Sequence, residues 1–321
     1  MDNPKPSKMK NSGLKPGVSS FLLNQKMNIL DIRQSKGWSE YLTFLGWDSV
    51  RTSGDINIET RKVFFGGLVK IQRPKKVLKA DLNEILELCK RDKALFIKLE
   101  PAQDQDLKIL SDSGYVKSPS PLLPPTTIFI DLTNDEKTLW GNVSHSGKYS
   151  VNRARREGAN AEFFQNPDEY ILKSFYDIHK QTGNKKGFYI ESFDDIKKKV
   201  EIFRDESFVI SVKNKEGTIM AANFYLGFNK NIWFMHGATS NVGRKSKAGY
   251  ELIWKSFLYF KGLGYKVLDL EGKDDKRFPN FTKGWGGFSH FKEKFGGQEI
   301  IFPEPYIKYL NPLLSKFGAV L

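Results

Sequence analysis

A single cysteine, Cys89, stands in 321 residues. That excludes an intramolecular disulfide and any cysteine-built zinc centre, and it suits a reducing compartment. No metal site is expected. No run of ~18 apolar residues occurs, so no membrane-spanning helix is expected. The opening MDNPKPSKMKNSGLKPGVSS lacks the apolar stretch of a signal peptide. Basic and rich in Pro, Ser and Gly, residues 1–22 read as a disordered tail. There is no low-complexity repeat. Acidic residues are outnumbered, 37 against 51 basic, for a net charge of +14. Such a surplus attracts polyanions over long range: nucleic acid, anionic lipid or a diphosphate-bearing small molecule.

What is present is apolar and aromatic surface. The chain is 39% hydrophobic, with 25 Phe, 12 Tyr and 6 Trp. That is enough for real cores and excludes global disorder. The length fits one large domain or two of ordinary size.

Strand-like and helix-like segments alternate, which argues for an α/β or α+β architecture. Helices are read at 38–45, at 81–90 (Leu82, Ile85, Leu86 and Cys89 on one face) and at 104–114, ending at Gly114. KVFFGGLVKIQRP (62–74) is strand material around Gly66-Gly67, and 94–99 and 126–132 are strands. SPSPLLPP (118–125) breaks regular structure. Asn166-Pro167 starts one helix, and Ser192 with Asp195 has capping-box spacing for another. Strands at 207–213, 218–228 and 231–237, a helix at 248–261, and strands at 267–272 and 299–303 complete the set. The halves look faintly alike, which hints at duplicated architecture.

HGATSNVGRKSKAGYELIWKSFLYFKGLGYKVLDLEG (236–272) resembles the core of the FemABX peptidyltransferases. The matching pieces are Gly237-Ala238-Thr239-Ser240, Leu252-Ile253-Trp254 and Leu268-Asp269-Leu270-Glu271-Gly272. Glu271 and Leu268 depart from the family's glycine and tyrosine. The family's Gly-x-x-x-Phe-Lys-x-x-Phe element resembles Gly287 to Phe295, with Phe291-Lys292 at its centre. Gln34-Ser35-Lys36-Gly37-Trp38, Pro124 to Thr127 with Asp131-Leu132, and Arg153 to Gly158 also fit.

The resemblance covers about residues 28–310. It implies an α+β fold of two tandem GNAT-like (acetyltransferase-type) domains packed together, without the long coiled-coil arm of some members. On that reading 23–160 is the first domain and 161–302 the second, carrying the Phe-Lys motif, with 303–321 packing back on the first. The implied activity moves an amino acid from aminoacyl-tRNA to the stem-peptide amine of a peptidoglycan precursor, UDP-MurNAc-pentapeptide or its lipid-linked form. Aminoacyl-tRNA is then a co-substrate and no cofactor is expected. A monomer is expected, in the cytoplasm, with peripheral contact at an anionic inner membrane face.

Acyl transfer to an amine requires deprotonating the amine, stabilising the tetrahedral oxyanion and aligning two substrates. Lysine suits the oxyanion, because its compact charge sits close to developing negative charge. Lys292 occupies the lysine position of the family motif and takes that role, with Phe291 keeping the site dry. Alone, FKEKF reads as an amphipathic strand edge with solvated lysines. No general base stands out. His236, at a position facing the acceptor in the family, either touches substrate or packs at a strand end, and His179 reads as structural. Asp269 is either a base, an electrostatic partner or a structural carboxylate. Lys185, Lys186 and Tyr189 fall where a family arginine contacts the nucleotide diphosphate. Arg153, Arg155 and Arg156 form a second basic cluster, from which Arg153 and Arg156 are taken as substrate-binding. Arg244 to Gly249 occupies the pyrophosphate loop of acetyl-CoA-dependent relatives, but Lys247 replaces its middle glycine and obstructs close backbone approach. An acyl-CoA N-acyltransferase and a non-enzymatic binder of RNA or anionic lipid stay as alternatives.

Overall fold

The computed structural model describes residues 29–186 and 190–317. The expected tail at 1–22 and the candidate Tyr189 lie outside them. From the start, α1 (Lys36–Phe44) leads into an antiparallel meander of β1 (Asp48–Arg51), β2 (Asn57–Val63) and β3 (Gly66–Gln72). Then α2 (Lys79–Arg91) crosses over to β4 (Ala94–Glu100), parallel to β3. α3 (Leu107–Asp112) and β5 (Val116–Lys117) follow.

After the proline-rich break come β6 (Thr126–Asp131), α4 (Glu136–Asn142), α5 (His145–Arg156), β7 (Asn160–Gln165), α6 (Glu169–Lys186) and α7 (Phe193–Phe203). A second meander, β8 (Ser207–Lys213), β9 (Ile219–Phe228) and β10 (Asn231–Thr239), is joined through α8 (Asn241–Lys245) and α9 (Ala248–Gly262) to β11 (Val267–Asp269), parallel to β10. α10 (Gly286–Glu293), β12 (Gln298–Ile301), β13 (Tyr306–Tyr309) and α11 (Pro312–Phe317) end the described chain.

Two sheets result, in the orders β1-β2-β3-β4-β13-β5 and β12-β6-β11-β10-β9-β8-β7. The fold is α+β, as expected. Among the described residues no helix exceeds the 18 of α6, so no coiled-coil arm is present there. Nor is any helix among them long and apolar enough to cross a membrane.

Period-2 alternation puts Phe208, Ile210 and Val212 of β8 against α5 and α9, where Val151, Trp254, Phe257 and Phe260 complete one core. Val209 and, from β9, Ala222, Phe224 and Leu226 point the other way, onto Leu172 and Phe175 of α6 and Ile196 and Val200 of α7. Trp38 and Tyr41 of α1 join this second core, tying the first sheet's lead-in helix to the second sheet. The first sheet packs α2 through Leu82, Ile85 and Cys89 against Val69, Ile71, Ile97 and Leu99.

The structure departs from the sequence reading in three ways. The sheets part at 118–125, so β6, α4 and α5 belong with the second sheet, ahead of the expected division at 160/161. Ile128 and Ile130 of β6, Leu139 of α4 and Val151 of α5 are in its core. The Phe-Lys segment, read alone as a strand edge, is the helix α10, because Phe288, Phe291, Lys292 and Phe295 recur at helical spacing. Finally β7, missed in the sequence, edges the second sheet against β8.

Candidate active site

Lys292 leaves α10 and turns inward, with a relative exposure of 6%. Its ammonium donates to the backbone carbonyls of Glu271 and Gly272, the latter at 2.9 Å. Both residues have left-handed backbone, φ +49° and +65°, which swings the two carbonyls toward one point. The ring of Phe288, one turn back on α10, lies 4.6 Å from the ammonium and that of Phe234 5.3 Å. Burial pulls the Lys292 pKa down to about 7, against the opposing pull of Glu271 and Asp269. The turn itself is pinned: the Glu271 N–H donates to Asp269 Oδ1 at 2.8 Å, and Thr127 of β6 donates to the same oxygen. Asp269 Oδ2 is buried with no hydrogen-bond partner among the described residues. Burial, then Glu271, pushes the Asp269 carboxyl up to about 7.

Phe291 turns to the other side of α10. It packs edge-on against Tyr250 at 4.8 Å between ring centres, and a Cβ on Gly249 would stand 3.8 Å from it. It thus seals α10 to the start of α9, which follows α8, with its Arg244, through Lys247.

Charges from the first half converge on the same turn. Arg33 pairs with Glu271 at 2.5 Å and with Asp31 at 3.3 Å, and Arg73, at the end of β3, reaches the other oxygen of Asp31 at 3.3 Å. Burial opposes the Arg33 charge, but Glu271 and Asp31 outweigh it and raise its pKa. Its guanidinium lies 5.2 Å from the Trp38 ring, and Lys199 approaches that ring at 5.7 Å. Lys199 is fully buried and holds Glu191 at 2.5 and 2.7 Å, while Glu191 meets His236 Nε2 at 2.9 Å. Burial would raise the Glu191 pKa, but His236 and Lys199 hold it well below the usual carboxylate range. Burial, with His236 nearby, pulls His179 down to about 4, so it is neutral at pH 7. A register shift in β10 between Phe234 and His236 lets Phe234 face Lys292 while His236 faces Glu191. Sequence reasoning missed Asp31, Arg33, Arg73, Glu191 and Lys199. Asp31 and Arg33 had only their proximity to the Gln34–Trp38 element as a signal, and Lys199 only its place inside an otherwise apolar helix stripe; Arg73 and Glu191 had none.

The remaining expected residues divide. Lys185 and Arg244 come together, both donating to Asn241 Oδ1, and Arg244 also holds the Thr239 carbonyl at 2.5 Å. Lys186 follows at the end of α6; Tyr189 is outside the described residues. Arg153 pairs with Glu157 at 2.6 Å and Arg156 is exposed, both on the last turns of α5. It is the first turn of α5 that meets α10's end, through Ser144 N–H and the Lys294 carbonyl at 2.8 Å. The two arginines are therefore not brought to Lys292. Arg155 instead pairs with buried Glu251 and lines a surface cleft with Trp140 and Trp254. Among the described residues no cluster of three His, Cys, Asp or Glu could hold a metal ion.

No protein-family model matches the sequence, and no curated protein matches it. Solved structures do. The crystal structure of FemX superposes with a TM-score of 0.76 over 92% of this chain and 96% of that one, at 17% identity. The C-terminal domain of a putative lysylphosphatidylglycerol synthetase from Agrobacterium fabrum gives 0.63 over 90% and 95%, at 14% identity. A tandem GNAT protein from the clavulanic acid biosynthesis pathway gives 0.50 over 80% and 79%, at 10% identity. The chain has the FemX-like, tandem GNAT fold. The resemblance seen in the sequence and the likeness in structure point to the same fold.

Proposed function

We propose that this chain is a FemABX-type acyltransferase. It moves an amino acid from aminoacyl-tRNA to the stem-peptide amine of UDP-MurNAc-pentapeptide or its lipid-linked form. The observation that carries the reading is Lys292, which stands at the family's motif position and is buried where the two halves meet. In the reaction the acceptor amine attacks the ester carbonyl, a C–N bond forms, the C–O bond to the ribose breaks, and the amine proton passes to the ribose oxygen. Lys292 faces the oxyanion of the tetrahedral intermediate, in a low-dielectric cage where its charge acts strongly. Phe288 and Phe234 exclude water beside it, while Phe291 seals α10 to α9 on the other side. Lys185 and Arg244 hold a phosphate group of substrate; Lys186, Tyr189 and His236 are the further substrate-binding candidates, and Arg153 and Arg156 meet the tRNA backbone from the outer face. On this reading aminoacyl-tRNA is the only co-substrate, no cofactor takes part, and a monomer works in the cytoplasm, at or near the inner membrane face.

One specific feature favours an acyl-CoA N-acyltransferase as the second reading. Lys247 has left-handed backbone at the head of α9, φ +63°, as a glycine would have. Its side chain, however, stands where the glycine's absence of one would admit a pyrophosphate.

The test is transfer itself. The chain is incubated with each acceptor and a pool of charged tRNAs, and the acceptor is weighed by mass spectrometry. We expect an added amino-acid mass, and a loss of about 10²–10³-fold in rate for Lys292→Ala with the thermal midpoint preserved. No mass gain on either acceptor overturns the function, and tight acetyl-CoA binding by calorimetry then favours the second reading. A full-rate Lys292→Ala overturns the site. Binding of RNA or lipid untouched by Lys292→Ala, with no transfer at all, returns the chain to a basic binder.

A further inference from the structure

The turn between β2 and β3 consists of Phe64 and Phe65, and nothing among the described residues covers it. Their relative exposures are 95% and 82%, the highest of any large apolar side chain described, and Val63 beside them is 40% exposed. Among the described residues the two rings pack on each other, edge to face, 4.9 Å between centres and 87° between planes. The turn is held tight from behind. Gly66 has φ +146°, and a Cβ there would stand 2.6 Å from the Lys93 carbonyl and 2.9 Å from the Leu95 side chain. The backbone is thus pressed against the start of β4, and the rings lie beyond the end of the sheet.

Around this apolar tip the charge is mostly basic. Arg61 and Lys62 precede it on β2, Lys93 lies behind it, and Arg91 is 67% exposed at the end of α2. Lys62 faces Asp48 at 4.0 Å and Arg91 faces Asp92 at 3.6 Å, both loose surface pairs. Two rings and a short basic collar make too small an area for a stable protein–protein interface. They fit a lipid interface: aromatic rings settle at the headgroup boundary, and lysine and arginine gain from anionic headgroups. We propose that the Phe64–Phe65 turn is a membrane-docking element, which inserts two phenyl rings into an anionic phospholipid surface while Arg61, Lys62 and Lys93 meet the lipid phosphates. The tip and Arg73 lie just off opposite ends of β3, which alone spans about 20 Å at ~3.3 Å per residue. Docking therefore leaves the Lys292 junction clear, and the proposal does not depend on the transfer reaction.

The full chain is sedimented with sucrose-loaded vesicles of phosphatidylcholine alone or mixed with phosphatidylglycerol. Binding to the mixed vesicles, weakening as salt rises, is expected. F64S/F65S is expected to lower partitioning about tenfold or more, given the apolar area of two Phe side chains, with an unchanged thermal midpoint. K62E/K93E is expected to weaken binding to the mixed vesicles alone. A second reading is direct. Cys89 is buried, and burial pushes its thiol up to about 12, so a polarity-sensitive thiol label on F65C reports only the tip. Its emission should shift to the blue with anionic vesicles. The proposal is overturned if the wild-type chain ignores anionic vesicles, if F64S/F65S binds them equally well, if the label does not shift, or if F64S/F65S proves by light scattering to have abolished a dimer instead.

Discussion

The two sheets follow one plan and differ in what they bury at its end. In each, a three-stranded antiparallel meander leads through helix to a fourth strand parallel to the third, then to a short helix and an edge strand. In each, the place between fourth and edge strands is taken by a strand distant in sequence: β13, which follows the second sheet, in the first, and β6, which precedes β7, in the second. Both fourth strands end in a buried acid, Glu100 and Asp269, whose carboxyl burial pushes up. The short helices then part ways. α3 buries Leu110, whereas α10 buries Lys292. In the first half Glu100 accepts from the N–H groups of Leu122 and Leu123 and fastens the chain break. In the second, the acid stands by a buried cation whose hydrogen bonds go to two backbone carbonyls. A buried charge is costly unless its partners are close, so the difference marks where architecture gives way to chemistry. The first half then contributes Asp31, Arg33 and Arg73 to that same centre.

The sharpest way to break this comparison is Arg33→Ala. It leaves Asp31 short of one partner and Glu271 without its ion pair in a site closed to water. A loss of about 3–5 kcal/mol in denaturant unfolding is expected. Lys90→Ala removes an exposed pair with Glu87, 57% and 73% exposed, and should change stability by under about 1 kcal/mol. Equal effects of the two would mean that the charges between the halves do not hold them together.

The next effect tests the insertion of β13 into the first sheet. Ile307 of β13 is 1% exposed and pairs with Lys98 of β4 and Val116 of β5. Ile307→Ala should cost about 2 kcal/mol or more. Its hydrogen-exchange signature should fall on β4 and β5, far away in sequence, and spare the neighbouring β12. Deprotection of β12 instead would contradict the register.

Local features were legible because their causes are local. The Ser192–Asp195 capping box, read from spacing, makes both of its bonds at 3.0 and 3.1 Å. The strand read at 207–213 is β8 residue for residue. The likeness between halves was faintly visible and is the shared strand plan. What was not legible is what long separation brings together. Arg33 and Glu271 are 238 residues apart, and no periodicity near either announces the other. The insertion of β6 between β12 and β11 likewise has no local signal, so residues 126–160 were assigned to the wrong sheet. α10 was misread despite its helical spacing, because the alternating charges of FKEKF imitate a strand edge. Glu271 appeared only as a departure from a glycine, yet its left-handed backbone, ordinarily glycine's, is what aims its carbonyl at Lys292.

The finest test is the direction of the pH dependence. Lys292 binds its proton less tightly folded than free, and Asp269 more tightly. The Asp269 contribution to stability therefore falls as pH rises from about 4 through 7, and that of Lys292 grows as pH rises from about 7 upward. Rate reads the same two groups differently. If Lys292 stabilises an oxyanion it must be charged, and transfer should decline about tenfold per pH unit once pH passes about 7. If neutral Lys292 were instead the base that takes the amine proton, the rate would climb through that same range. Asp269→Asn separates these further. It removes a carboxylate that supports the Lys292 charge, so the declining limb should move to lower pH while the plateau below it changes little. A limb that stays put would show that Asp269 acts only as the anchor of the Glu271 turn, and that the second sheet's acid is as structural as Glu100 in the first.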